Sequence, residues 1–272
     1  MVSSRLFFYL SPIFILIIHQ ASTQPSFICH TCSQGENNHT PNNNFAANLN
    51  HVLSSIFSNT EIDNGFYTNS YGQDRNKVYA IGISRGDLNQ DVCRSCLNDS
   101  TVALTRLCPN QKEATGWYDN CTLRFSNNSI FGIEDDNPSC FLCNKNKVSD
   151  IDGYSKVVKS LLDGMISEAA SGGYSKFVAK ISVAPDFSNI YVFAQCTPDS
   201  TDRQCTNCLE MISSQLPQCC IGKEGGRFYT PSCNFRFETF PFFDLGVGVD
   251  ASLPPSPIFP SPMPLKGAVI LT

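Results

Sequence analysis

The chain has 272 residues with 19 Lys and Arg against 24 Asp and Glu, and nowhere are its basic residues gathered into a block. Proteins that grip phosphate backbones need such a patch, so nucleic acid is excluded as a partner. Long apolar runs are missing as well. The run from Leu6 to Ile18 is short for a bilayer span, and Leu265 to Thr272 falls far below the ~20 residues required, so no membrane span is expected in this chain. Histidine is scarce: of four, His19 sits beside the first apolar run, and His30, His39 and His51 all precede Val52. Everything after that point is without an imidazole base, which leaves no evident Ser–His–Asp constellation. The Gly-rich loop, catalytic loop and metal-binding motif of a kinase are also absent, and no enzymatic activity and no cofactor are expected.

What the chain has in quantity is cysteine. The stretch Cys196 to Cys205, then Cys208, Cys220 and Cys233, has an earlier counterpart in Ser84, Cys93, Cys96, Cys108 and Cys121, displaced by 112 positions. Upstream, Cys29-His-Thr-Cys32 recurs as Cys140-Phe-Leu-Cys143 at an offset of 111. One unit is therefore written twice, and two domains near the usual size of about 100–150 residues are expected, over 25–132 and 138–245. The amino end, Arg5 followed by an apolar run and then Ala21 to Gln24, reads as a secretory signal peptide over 1–23, an uncleaved anchor being the alternative. Fourteen cysteines on that route point to oxidised pairs, and hence to a secreted, extracellular protein. Four glycosylation sequons, at Asn38, Asn98, Asn120 and Asn127, all lie in the first copy and predict a sugar-coated first unit beside a bare second one. Residues 250–272 form a Pro-rich tail in which missing donors and fixed φ oppose any regular element.

Each copy reads as α+β, with two helices packed on a five-stranded antiparallel sheet. Phe45, Leu49, Val52, Leu53, Ile56 and Phe57 share a helix face, as do Tyr154, Val157, Val158, Leu161, Leu162 and Met165 in the second copy. A second helix is expected to start near Asn89 and Thr201, both suited to capping, and to run to about Leu107 and Pro217. Aromatic and β-branched segments between turn residues supply the strands.

The cysteine order, together with Gln195-Cys-Thr-Pro-Asp, Pro217-Gln-Cys-Cys220 and Gly225-Gly-Arg-Phe-Tyr-Thr-Pro-Ser-Cys233, resembles the plant cysteine-rich repeat. That repeat builds secreted proteins, the ectodomains of cysteine-rich receptor-like kinases and the antifungal seed lectin ginkbilobin, and the resemblance covers about Phe27 to Phe243. It implies the pairs Cys196–Cys205, Cys208–Cys233 and Cys143–Cys220 in the second copy, and Cys96–Cys121 and Cys32–Cys108 in the first. Ser84 stands where Cys93 would find its partner. Cys29, Cys93, Cys140 and Cys219 are left over, and two extra bridges, Cys29–Cys93 and Cys140–Cys219, are the expectation drawn from that even remainder. Zinc on the CxxC pairs is disfavoured by the oxidising route, and thiol exchange by sending Cys205 and Cys208 to different partners, so no metal is expected.

The resemblance also implies a mannose site made of an Asn after the first cysteine of the unit, an Arg six residues before the last and a Glu five residues after it. In the second copy these are Asn144, Arg227 and Glu238; the first copy has Ser33, Thr115 and Ser126. An amide, a guanidinium and a carboxylate can hold vicinal hydroxyls in a directed network. The competing reading makes Arg227 and Glu238 a cross-strand ion pair and Asn144 a turn cap. Mannose-containing glycans and extracellular or receptor proteins are thus the expected partners, in defence or stress responses of the plant apoplast.

Overall fold

The computed structural model describes residues 26–33, 38–40, 43–58, 65–246 and 250–251. The signal-peptide reading of 1–23 and the prolines of the tail lie outside the described residues, as does the Phe57 side chain.

The first repeat comprises β1 (Phe27–Cys32), α1 (Asn44–Ser58), β2 (Phe66–Tyr71), β3 (Val78–Ser84), α2 (Gln90–Leu107), β4 (Ala114–Tyr118) and β5 (Cys121–Ser126). The second follows with β6 (Cys140–Cys143), α3 (Ile151–Ser171), β7 (Phe177–Val183), β8 (Asn189–Cys196), α4 (Asp202–Cys219), β9 (Gly226–Tyr229), β10 (Cys233–Glu238) and the two-residue β11 (Asp250–Ala251). In the first sheet the order is β1-β4-β5-β3-β2, all antiparallel; the second runs β7-β8-β10-β9-β6 likewise. Strand β11 adds a sixth, parallel edge against β7, where the tail was expected to be irregular from 250 onward. Neither of its residues is a proline, so both keep the amides that a ladder needs.

The helices form where the apolar period demands. Phe45, Leu49, Val52, Leu53 and Ile56 are buried against the first sheet, and Tyr154, Val158, Leu162 and Met165 against the second. Val157 and Leu161 flank that second core and are half-buried. Helix α2 is capped by Asn89, whose Oδ1 accepts from Val92 N at 3.0 Å; Thr201 caps α4 in a capping box with Gln204. Each cap satisfies an otherwise orphaned amide and stabilises its helix by about 1 kcal/mol. Helix α4 continues through Pro217 to Cys219 rather than stopping at the proline. Pro217 lies in the last turn, where its missing N–H costs one bond, and the turn is held beyond it by Cys220 N donating to Leu216 O.

Six disulfides are closed. Cys32–Cys108 and Cys96–Cys121 staple the first repeat, and Cys143–Cys220, Cys196–Cys205 and Cys208–Cys233 the second. The sixth corrects the expected extra bridges: Cys29 pairs with Cys140, not Cys93, and joins the two repeats. Cys93 is buried and unpaired, and Cys219 is exposed and unpaired. The reason is topological. Cys29 and Cys140 lie on β1 and β6, edge strands of their sheets, whereas Cys93 lies inside the first repeat in the first turn of α2, next to Ser84.

The repeats meet through sheet residues on the faces opposite the helices. Trp117, fully buried, donates Nε1 to Thr230 O at 3.2 Å, and Gln195 Nε2 donates to Ser84 O at 3.1 Å. Between Ile83 and Thr122 on one side and Phe193, Tyr229 and Asn234 on the other, only about 10 Å³ of space remains. That volume holds no more than about one water, so the two sheets are closely packed at this point. The segment after β10 closes the rest of this face, with Phe242 and Phe243 on Ala179, Ile181 and Phe193.

Candidate functional site

Strand β6 ends at Cys143, which puts Asn144 at the sheet edge; β9 carries Arg227 and β10 carries Glu238. All three line one open cleft of about 250 Å³, with Leu142, Cys143, Gly225, Gly226 and Phe240 completing its wall. Two chain-specific features make this possible. Gly225 leaves the space that Glu238 Oε2 occupies, since a Cβ there would collide with that oxygen. Gly225 O in turn accepts from Asn144 N at 2.9 Å and fixes the third member.

The trio is pre-ordered by hydrogen bonds. Arg227 Nε and Arg236 Nε both donate to Glu238 Oε1, at 3.2 and 3.0 Å. Arg227 Nη1 reaches across the seam to Asp119 Oδ1 of the first repeat at 2.5 Å, and Arg236 Nη1 lies 3.5 Å from the same oxygen. Asn144 Oδ1 accepts from Asn146 N at 3.0 Å. The ion pair and the turn cap of the competing reading are therefore both present. They engage Nε and Nη1 of Arg227, Oε1 of Glu238 and Oδ1 of Asn144. Among the described residues, Arg227 Nη2 and Asn144 Nδ2 donate no hydrogen bond within the protein and Glu238 Oε2 accepts none, which leaves two donors and one acceptor unused by the trio.

The electrostatics keep this cluster rigid. Burial, and then the charge of Arg227, pull Arg236 below the ordinary arginine value, while Glu238 and Asp119 oppose that shift. Arg236 also rests on the Phe242 ring at 4.0 Å. Breaking one member of a buried pair leaves the other uncompensated and costs about 3–5 kcal/mol, so the network fixes geometry whatever its net stability.

The first repeat builds something else at the matching positions. Ser33 Oγ donates to Gln111 Oε1 at 2.6 Å, Thr115 is buried, and Ser126 Oγ accepts from Asn128 N. Arg124, the counterpart of Arg236, is paired to Glu113 and Asp135 instead. The sequons divide too. Asn38 and Asn98 are exposed, Asn120 lies half-buried at the seam, and Asn127 has a buried Oδ1 without a partner. Among the described residues two groups place three metal-type donors together, His30 with Cys32 and Cys108, and Cys143 with Cys219 and Cys220. In each, two of the sulfurs are tied into a disulfide and are lost as thiolate ligands.

Asp119 and Phe240 were not singled out by the sequence, and Gly225 only as part of the stretch Gly225 to Cys233. Gly225-Gly226 ahead of Arg227 is a visible signal of close approach; Asp119 acts from another repeat and leaves no local one.

Two α+β units, each stapled by disulfides and joined by another, make up a tandem disulfide-stapled fold. The chain belongs to the salt stress response/antifungal family, whose model matches residues 28–128 and 140–240. It is 36% identical over 231 residues to cysteine-rich repeat secretory protein 38 of Arabidopsis thaliana, covering 84% of this chain and 91% of that one. It is also 36% identical over 237 residues to cysteine-rich receptor-like protein kinase 29 of the same plant, covering 85% of this chain and 34% of the kinase. The chain thus spans about a third of the length of the receptor-like kinases it matches. The tandem DUF26 ectodomain of the Arabidopsis thaliana cysteine-rich receptor-like protein PDLP8 shares the fold, with a TM-score of 0.67 at 24% identity over 78% of this chain and 97% of that one. No helix among the described residues is long and apolar enough to cross a membrane.

Proposed function

We propose that the protein is a secreted recognition module of the plant apoplast whose second repeat binds mannose-containing glycans in stress or defence responses. The observation that carries this reading is the set of side chains gathered at the cleft: Asn144, Arg227 and Glu238 line one space, each with a polar atom not engaged within the protein, and Phe240, 47% exposed, offers an apolar surface beside them. A hexose presents the complement, hydroxyls that donate and accept along its edge and C–H groups on its face. At about 250 Å³ the cleft lies just under the usual range for ligand pockets, which suits a terminal sugar residue better than a large ligand. The family description and the secretory relative favour the extracellular, stress-related setting.

A second reading, a protein-interaction ectodomain that binds no sugar, draws on the exposed Leu142 and Phe240 at the free edge of β6. An unpaired edge strand with apolar side chains is a ready place for another chain to add. Retention on immobilised mannose separates the two. Wild-type protein should be retained and Arg227→Ala should flow through; equal retention of both removes Arg227 from the site, and flow-through of the wild type removes the glycan reading.

A further inference from the structure

Every residue lining the cleft belongs to the second repeat, but one of them, Arg227, is held from the first. Asp119 sits in the turn between β4 and β5 of the first repeat, and its own backbone is held at both ends. Its N–H donates to Ser26 O at 2.9 Å, and its carbonyl accepts from Arg85 Nη1 at 3.3 Å. Arg85 is fixed in turn by Asp87 through Nε at 2.5 Å and Nη2 at 3.0 Å, and Asp87 Oδ2 accepts Asp244 N from the second repeat at 2.9 Å. The carboxylate of Asp119 is thus presented to Arg227 from a turn anchored to both repeats.

The charges around Arg227 show what this placement does. Facing it are Asp119, Glu238 and Arg236. With Asp119 ionised, two arginines meet two carboxylates; without it, two arginines share one. Arg227 would then keep a single bond, through Nε, and would be repelled by Arg236, which is more buried and cannot move. The end of the guanidinium that projects into the cleft would be free to turn. The clamp is also one-directional. The position 112 residues after Asp119 is Pro231, which has no charge to return to the first repeat.

We propose that Asp119 is a positioning residue for the ligand cleft of the second repeat: it orients Arg227 across the seam, so that the site reaches its full affinity only in the tandem. This rests on the glycan reading of that cleft. It predicts that the first repeat, although it lacks the trio, raises the affinity of the second.

The test uses the full chain and methyl α-mannoside titrated by calorimetry. Asp119→Asn, which keeps the shape and removes the charge, should weaken binding roughly tenfold, inside the 5- to 150-fold range typical of coupling between sites. Unchanged affinity in Asp119→Asn overturns the proposal. Trp117 emission reports that the seam has stayed closed. A second readout is independent of sugar: side-chain ¹⁵N spectra of Arg227. Clamped at Nε and Nη1, the guanidinium should give resolved Nη signals, which merge in Asp119→Asn; signals already merged in the wild type overturn the proposal. Absence of mannoside binding by the wild type refutes the glycan reading instead, and the Arg227 signals still decide whether Asp119 holds the side chain.

Discussion

Ser84→Cys should restore a seventh disulfide, and its effect can be worked from the structure. Ser84 is buried, its hydroxyl lacks a hydrogen-bond partner, and the Cys93 thiol lies beside it, both within van der Waals reach of a Cβ built on Gly65. Burial pushes the Cys93 thiol above its ordinary pKa, so it sits there neutral and unreactive. The equivalent pair in the second repeat, Cys196 and Cys205, is bridged across a sequence separation of 9 with Cα atoms 5.6 Å apart. Closing a loop of that span removes about 2.7 kcal/mol of entropy from the unfolded chain, and the bridge also deletes an unsatisfied hydroxyl. A gain of about 3 kcal/mol raises the melting midpoint of a chain this size by about 6–12 °C. Thermal melts of Ser84→Cys against wild type and Cys93→Ser, with thiol titration in denaturant, measure it. Two unpaired thiols in the wild type should become one, that of Cys219. Three thiols, or one thiol with an unmoved midpoint, would refute the reasoning.

Three further outcomes follow from the same geometry. Gly225→Ala places a methyl on Glu238 Oε2 and should cost about 1–3 kcal/mol of stability together with mannose retention; a variant as stable and as well retained as wild type would contradict the cleft described here. Replacing both Cys29 and Cys140 by Ser removes the only disulfide that links the repeats, and should cost about 3–5 kcal/mol and shift Trp117 emission to the red, as chemical unfolding with fluorescence detection would show. Burial raises Tyr118 and Tyr229 to about 12, above the value near 10 of an unfolded phenol. Their contribution to stability is therefore complete below pH 10 and lost as pH rises through 12. Absorbance at 295 nm should show these two ionising only as the fold is lost, and ordinary titration near pH 10 in folded protein would count against their burial.

The parts of this structure that a single repeat determines were legible in the sequence. Cysteine spacing marked the duplication, and the buried faces of α1 and α3 followed from the 3.6-residue period of Phe45 to Ile56 and Tyr154 to Met165. Asn89 and Thr201 identified themselves as caps because a short polar side chain before an apolar run has an obvious amide to satisfy. Relations between the repeats were not legible, because no local pattern encodes how two units dock. Cys29 and Cys140 were assigned partners within their own units, although both are edge-strand residues at equivalent positions, free to meet only once the sheets face each other. Asp119 was missed for the same reason. Asn144, Arg227 and Glu238 were drawn from a family pattern; the fold supplied their common cleft and also the ion pair and turn cap that the competing reading required.

The second repeat is proposed to hold a glycan by the atoms its own network leaves unused. A glycan array probed with the full-length secreted protein tests it most directly. Signal confined to mannose-terminated structures, and lost with Arg227→Ala, is the predicted result; a blank array from folded protein with all six disulfides closed would contradict it.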